Sequence, residues 1–363
     1  MDPLTGLPRS SSPNKPHREG VTTESHDWTL VKAVDLVADQ DVIVIDGNTP
    51  IEESCEILIK NNLSAAPVYD SSTKSYVGMF DWADVMTYLL IVLKKKDAQE
   101  LEKKSKEELS DEFRSLLRLA LQCQPIPVKL ASDISNKNPF YSVLPETSLF
   151  QVTELFGSGT HRVAVMDADN HLKGILTQSK VVSYLCKNAG KFPEIGKLFT
   201  KKVEELGIGQ SDVISVNSDS FVLDALTIMK ENSLSSTAVV NSDGVIFGNI
   251  SMSDIKYILG SYRHSLLWRT CQQFISHVRS RQGVDDGQDR YPVFDVRLSS
   301  TLGLVVAKLT ATRAHRVWVV NEAMNPIGVV SMTDVISIFA RQAGGTAEPS
   351  RKRLSDSLGS KVF

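Results

Sequence analysis

Apolar and polar positions alternate along this chain in a block that recurs four times. In each block an apolar run (66–69, 162–166, 237–240 or 316–320) is followed by a polar turn, such as Asp167-Ala-Asp-Asn170 or Asn241-Ser-Asp-Gly244, and then by a second apolar run. Two short apolar runs split by an Asn, Asp or Gly-rich turn predict a hairpin. Beyond the second run the period lengthens to that of a helix, at 85–89, 181–185, 255–259 and 335–339. An amphipathic stretch such as 222–229 precedes the hairpin, and a short apolar run such as 213–216 precedes that. Each block therefore predicts strand, helix, strand, strand, helix, and the repeat sets the architecture before any single element is assigned.

A unit this small cannot cover its own sheet, so the units are expected to pack face to face as two pseudo-symmetric modules. The first module is placed at 28–195, with repeat 1 at 32–92, a charged insert at 94–124 and repeat 2 at 136–188. The second is placed at 196–343, with repeat 3 at 208–260, a bridging helix at 262–281 and repeat 4 at 290–341. The insert carries Glu100/Lys104 and Glu102/Lys106 at helical i,i+4 spacing and reads as a solvated surface helix, with a partner-binding helix as the alternative. Tails at 1–27 and 344–363 have the composition of disordered segments.

Composition narrows the class. At 363 residues, 42% apolar and a net charge of −3, the chain is expected to be globular and is no polyanion binder. The apolar run at 85–93 is too short to span a bilayer, and the first 20 residues hold Pro, Ser and charge rather than a signal sequence. Cys55, Cys123, Cys186 and Cys271 stand far apart and read as reduced thiols of an intracellular protein, with no zinc spacing among them. Phosphate-loop, nucleophile-elbow and zinc-protease motifs are missing, so no enzyme is expected and no metal or required cofactor either.

The candidate chemistry sits where the second strand of each hairpin meets its helix. A glycine is followed by a hydroxyl and a carboxylate three apart in Gly328/Ser331/Asp334 and Gly248/Ser251/Asp254. The other two copies are altered: Gly174/Thr177/Lys180 and Gly78/Asp81/Asp84. One reading is structural, because Ser or Thr at that place caps a helix and an acid suits its first turn. The other is a ligand site. Free N–H groups and a hydroxyl suit a phosphate, an ionised carboxylate can accept both hydroxyls of a ribose diol, and the glycine lets a ligand approach the backbone. His161-Arg162 and His315-Arg316 precede equivalent strands of repeats 2 and 4, and Arg offers bidentate phosphate binding.

These units resemble CBS (cystathionine β-synthase-type) repeats, and four in tandem resemble the γ subunit of AMP-activated protein kinase. The resemblance implies an α/β (α+β) fold in which four CBS repeats pair into two Bateman modules forming a disc. It implies AMP, ADP or ATP as ligand, with Asp254, Asp334 and Asp84 on the ribose. Ser251, Ser331, Thr333, Thr177, His161, Arg162, His315 and Arg316 would then hold phosphate. A basic residue at Lys180 is also shared with that family. Ser64 and Ser179 replace cations of the γ pattern, and Asp81 replaces a phosphate-holding Thr, so weaker or fewer sites are expected. The segment Trp268-Arg-Thr-Cys-Gln-Gln-Phe274, together with 283–294, 308–316 and 339–344, is similar to a fungal group of stand-alone four-CBS proteins. That group implies a regulator of a type 2A-like phosphatase in stress and nutrient response, cell-cycle progression and cell separation, in cytoplasm and nucleus. A kinase γ-type subunit with α and β partners is the alternative, and neither nucleic acid nor membrane is expected as partner. The run from Arg351 to Ser355 resembles a basophilic-kinase phosphosite, or is simply a basic tail.

Overall fold

The computed structural model describes residues 27–93, 110–259, 264–286 and 294–346. Four three-stranded sheets occur there, each ordered first, middle, third. Repeat 1 holds β1 (Ile45–Asp46), β2 (Ala65–Asp70) and β3 (Ser75–Asp81), with helices Ile51–Lys60 and Trp82–Leu93. Repeat 2 holds β4 (Ser142–Val143), β5 (Arg162–Met166) and β6 (Leu172–Thr177), with helices Leu149–Gly157 and Gln178–Lys187. Repeat 3 holds β7 (Ser215–Asn217), β8 (Ser236–Val240) and β9 (Ile246–Ser251), with helix Val222–Glu231, a 3-10 turn Met252–Asp254 and helix Ile255–Leu259. Repeat 4 holds β10 (Asp295–Val296), β11 (Arg316–Val320) and β12 (Pro326–Ser331), with helices Leu302–Thr312 and Met332–Gln342. The first strand runs parallel to the middle one, which requires the intervening helix as a crossover, and the hairpin closes antiparallel. The expected order of elements is the one found.

The registers coincide in all four hairpins. Gly78, Gly174, Gly248 and Gly328 lie opposite Val68, Val165, Val239 and Val319, and a register shift follows each pair. The turn of each hairpin contains one left-handed residue: Lys74, Asn170, Gly244 and Met324.

The chain that leads into each repeat does not pack on that repeat. It crosses to the other member of its module. Ala33 N–H donates to Thr147 O at 2.8 Å and Leu149 N–H to Val31 O at 2.6 Å, so the segment before repeat 1 lies on repeat 2. Reciprocally, Val128 N–H donates to Thr49 O at 2.8 Å and Ile51 N–H to Ile126 O at 3.0 Å. In the second module Leu302 N–H donates to Lys201 O and Cys271 N–H to Ser220 O, both at 2.8 Å.

This crossing corrects the ligand reading of the glycines. A Cβ at Gly174 would strike Val37, at Gly78 the Ser132 side chain, at Gly248 the Ile275 side chain, and at Gly328 the backbone carbonyl of Gly209. The space left by each missing side chain is filled by the crossing segment rather than by a ligand.

Two large cores form, and each joins repeats of different modules. Val85, Met86 and Leu90 of repeat 1 share a core with Val222, Leu226 and Ile258 of repeat 3. Val152, Phe156 and Val181 of repeat 2 share another with Val305, Val335 and Phe339 of repeat 4. Within each module the sheets meet through smaller clusters: Met79, Ala164, Met166 and Ile175 in the first, and Ala238, Ile246, Trp318 and Val320 in the second. Among the described residues no helix is long and apolar enough to cross a membrane.

Two expectations change. Residues 94–109, with the Glu/Lys pairs, lie outside the described residues, but the rest of the insert is helix Asp111–Leu121, capped by Ser110, and it is not a solvated surface helix. Phe113, Leu116, Leu117 and Ala120 recur at helical spacing and face the first core, with Leu116 and Leu117 fully buried. The single bridging helix over 262–281 is instead a 3-10 turn, His264–Trp268, and a helix, Cys271–Asp286. Thr270 breaks the two, donating its N–H to Gln273 Oε1 at 3.4 Å and accepting Gln273 N–H on its hydroxyl at 3.2 Å. The remainder of both tails, including Ser355, also lies outside the described residues.

Gly328→Ala is expected to lower unfolding free energy by about 3 kcal/mol or more, because the obstructing atom is backbone. Gly190→Ala, with open space around it, is expected to stay within about 0.5 kcal/mol of the parent. Urea unfolding of both variants checks this, and equal losses would show that the crossing does not constrain the glycine.

Candidate functional site

Four helix starts carry the candidate residues, and all four begin as caps. In repeat 4, Ser331 donates to Asp334 Oδ2 from both its N–H and its hydroxyl at 2.8 Å, and accepts Asp334 N–H at 3.3 Å. In repeat 3, Ser251 donates to Asp254 Oδ2 from N–H and hydroxyl at 2.7 Å, and its hydroxyl also lies 2.9 Å from that of Ser253. These are reciprocal capping boxes. Asp334 is 2% exposed and Asp254 intermediate. Burial pushes the Asp254 carboxyl above its ordinary value. Thr177 caps helix Gln178–Lys187 by accepting Lys180 N–H at 3.3 Å. Burial lowers the pKa of Lys180, which feels the Asp39 carboxylate of the crossing segment.

Repeat 1 is built differently. Asp81 Oδ1 accepts the N–H groups of Ala83 at 2.8 Å and Asp84 at 3.2 Å, so a carboxylate performs the cap. Its Oδ2 accepts Asn138 Nδ2 at 2.5 Å and Arg162 Nη1 at 3.5 Å. Asp84 accepts Asp81 N–H on one oxygen and Ser135 N–H on the other, each at 3.0 Å. Asp84 is 1% exposed, and burial followed by the Asp81 charge holds its carboxyl well above the usual range. Both oxygens of this expected ribose acceptor are thus engaged by the chain.

The histidine and arginine pairs meet at the centre. His161 Nδ1 lies 2.7 Å from Asn138 Oδ1, Arg162 joins Asp81, and the Arg316 guanidinium bonds the Ser235 hydroxyl. Thr333 accepts Gln178 Nε2 at 3.0 Å, joining repeat 4 to repeat 2. Burial, then the Arg162 charge, lowers His161 to about 4. His315 reaches solvent, yet protein encloses most of its surroundings, and this with the Arg316 charge lowers it to about 4 as well. Burial lowers Arg316 to about 10, opposed by the Asp334 carboxylate. The outcome is a central group of cationic and neutral-imidazole side chains beside four helix starts, a setting that suits an anion.

Sequence reasoning missed Lys137, Asn138 and Ser135. Lys137 Nζ donates to Leu234 O at 2.9 Å, tying the first module to repeat 3, and burial lowers it to about 8. The signal for this segment was its turn chemistry, since Asp133 and Asn136 both adopt left-handed backbone. Among the described residues, Asp167, Asp169 and His171 could group round a cation, but they are at a hairpin turn and Asp167 is paired with Lys173 at 2.9 Å. A groove of about 530 Å³, lined in part by Tyr69, Tyr76 and His171, also lies at the hairpin turns, at the strand ends away from the helix starts.

The CBS domain model matches residues 27–91, 131–187, 203–261 and 290–341. Protein sds23 of Aspergillus niger is 37% identical over 311 residues, 85% of this chain and 60% of that protein. Protein SDS23 of Yarrowia lipolytica is 32% identical over 363 residues, 89% of this chain and 70% of that protein. This chain belongs to the SDS23 family of four-CBS-domain proteins. It spans 60% of the Aspergillus niger relative and 63% of the Kluyveromyces lactis one. Among solved structures, protein MJ1225 of Methanocaldococcus jannaschii, proposed as an archaeal homolog of g-AMPK, superposes with a TM-score of 0.62 at 15% identity. That match covers 85% of this chain and all of MJ1225, and shows a shared fold.

The central imidazoles carry a pH prediction. Their folded pKa values lie near 4, against 6.5 ordinarily, so the unfolded chain takes up protons first as pH falls. Their contribution to stability is whole above pH 6.5, declines between 6.5 and 4, and levels off below. His161→Gln/His315→Gln is expected to flatten that decline in urea unfolding measured across the window. A slope equal to the parent's would show that the imidazoles are not held neutral.

Proposed function

We propose that this chain is a non-enzymatic regulator that binds adenine nucleotide at the helix starts of repeats 3 and 4. The observation that carries this reading is the repeated Ser–Asp pair. Ser251/Asp254 and Ser331/Asp334 each join a hydroxyl, helical N–H groups and a carboxylate, beside Arg316, His315 and Lys137. A nucleoside phosphate has matching needs: cations and N–H donors for phosphate, an acceptor for the 2′,3′-diol. Ser251, Ser331, Thr333, His315 and Arg316 are assigned to phosphate, and Asp254 and Asp334 to ribose. His161, Arg162 and Thr177 line the same centre from repeat 2. The preference for adenine rests on the family resemblance.

Calorimetry with AMP, ADP and ATP tests this. Asp254→Asn/Asp334→Asn is expected to weaken binding by roughly tenfold to a hundredfold, since hydrogen bonds to charged groups contribute about 1.5–3 kcal/mol. Asn can still accept at the cap, so ligand-free melting should fall by only a few degrees. If the parent gives neither heat nor a ligand-induced thermal shift at millimolar nucleotide, the motifs are helix caps alone.

We further propose, from membership of the SDS23 family, that the output is restraint of a type 2A-like protein phosphatase in stress and nutrient response and cell-cycle progression. The fold shared with MJ1225 favours a second reading, a γ-type subunit beside kinase α and β subunits. Co-purification separates them: the phosphatase catalytic subunit is expected to be retained. A stable complex with the kinase subunits and no phosphatase would overturn the first reading.

A further inference from the structure

Asp81, Thr177, Ser251 and Ser331 occupy one structural position, the cap between the third strand and the following helix. Three carry a single neutral hydroxyl. Asp81 carries a charged carboxylate with a second oxygen, and that oxygen lies among the groups that would hold a phosphate. Oδ1 is at the helix start with the N–H groups of Ala83 and Asp84, while Oδ2 holds Asn138 and the Arg162 guanidinium. Asn138 in turn holds His161 at 2.7 Å. Asp81 is 3% exposed and Asn138 8%, so water cannot replace these partners easily.

The second module gives an internal comparison. Arg316 is the counterpart of Arg162, but its bonded partner is the hydroxyl of Ser235, not a cap carboxylate. The cap equivalent to Asp81 there is Ser251, whose hydroxyl is turned to Asp254 and Ser253. The same scaffold position therefore bonds an arginine to a carboxylate in the first module and leaves the second module's arginine bonded to a neutral hydroxyl, with the Asp334 carboxylate acting on it through its charge. Segment 133–138 completes the difference. It supplies Ser135 N–H to Asp84 and Asn138 to Asp81, and Lys137 reaches Leu234 of repeat 3.

We propose that Asp81 is a tethered anion that takes the phosphate position of the first repeat, closing that repeat to nucleotide and locking segment 133–138 over it. The inference rests on the reading of Ser251/Asp254 and Ser331/Asp334 as phosphate and diol sites, and it confines ligand to the second module's helix starts. It also gives Arg162 a constitutive partner, so the contact between repeats 1 and 2 holds without ligand.

The test removes the tethered charge. Asp81→Asn keeps the shape and the cap, and Asp81→Thr restores a hydroxyl cap. Both are placed in full-length protein carrying Asp254→Asn/Asp334→Asn, which weakens nucleotide binding in the second module, and the His161 signal reads repeat 1 apart from any pyrophosphate held at Arg316. Pyrophosphate and AMP are titrated by calorimetry and by the imidazole NMR signals of His161, assigned with His161→Gln. With Asp81 present, His161 signals should not move saturably at millimolar pyrophosphate. Either Asp81 variant should bind pyrophosphate about tenfold more tightly or better, with a saturable His161 shift. Folded variants that leave His161 and the pyrophosphate affinity unchanged would overturn the proposal. So would saturation of the unsubstituted protein with nucleotide accompanied by opening of the Asp81–Arg162 pair, a result that needs no variant to fold. Failure of nucleotide to bind at Asp254 and Asp334 would count against the earlier reading alone, because pyrophosphate reports on repeat 1 independently.

Discussion

Four times in this molecule a segment crossing from the partner repeat fills the space beside a strand glycine, with side-chain atoms at three of them and with backbone at the fourth. Gly78, Gly174, Gly248 and Gly328 mark those crossings, and at Gly328 the facing atom is a main-chain carbonyl. Because each crossing segment belongs to the partner repeat, neither repeat can complete its sheet cover without the other. Pairing within a module is therefore a covalent and steric necessity as much as a hydrophobic one. The small clusters between sheets, such as Met79 with Ala164, need only fill the remaining gap. The larger apolar surfaces are then free to face outward from each pair and build the cores that join the modules.

The same crossings deliver chemistry. Segment 132–138 passes over Gly78 and arrives at the start of helix Trp82–Leu93, where Ser135 and Asn138 engage Asp84 and Asp81. The segment over Gly174 brings Asp39 into the field of Lys180. A scaffold of four near-identical units thus presents unlike charges at equivalent positions. Buried charge is costly unless partnered, and the two charged departures have a partner nearby: Arg162 for Asp81, Asp39 for Lys180.

Much of this was legible in the chain. Hairpins, their turns, the helix starts and the four-fold motif follow from periods of two and 3.6 and from turn chemistry, all of which are local. The packing of the insert helix is not legible, because its charged first half outweighs Phe113, Leu116 and Leu117, which pack on a core that only the third dimension assembles. The glycines suggest a ligand because sequence shows that a side chain is missing, without showing what fills the space. Lys137 gave no signal, since its partner Leu234 is nearly a hundred residues away.

By itself the sequence determined the repeat, the order of elements, the cap positions and the inventory of charges at them. Those properties depend on neighbours along the chain. The tertiary structure decided which repeat each linker covers, which repeats share a core, and whether a given carboxylate stays open or is consumed by its own protein. Asp254 and Asp84 occupy the same place in the motif, yet one is held by its own cap and the other is sealed by a segment fifty residues downstream. Hydrogen-bond partners of buried groups are set by what lies within 3 Å in space, and distance along the chain does not encode that.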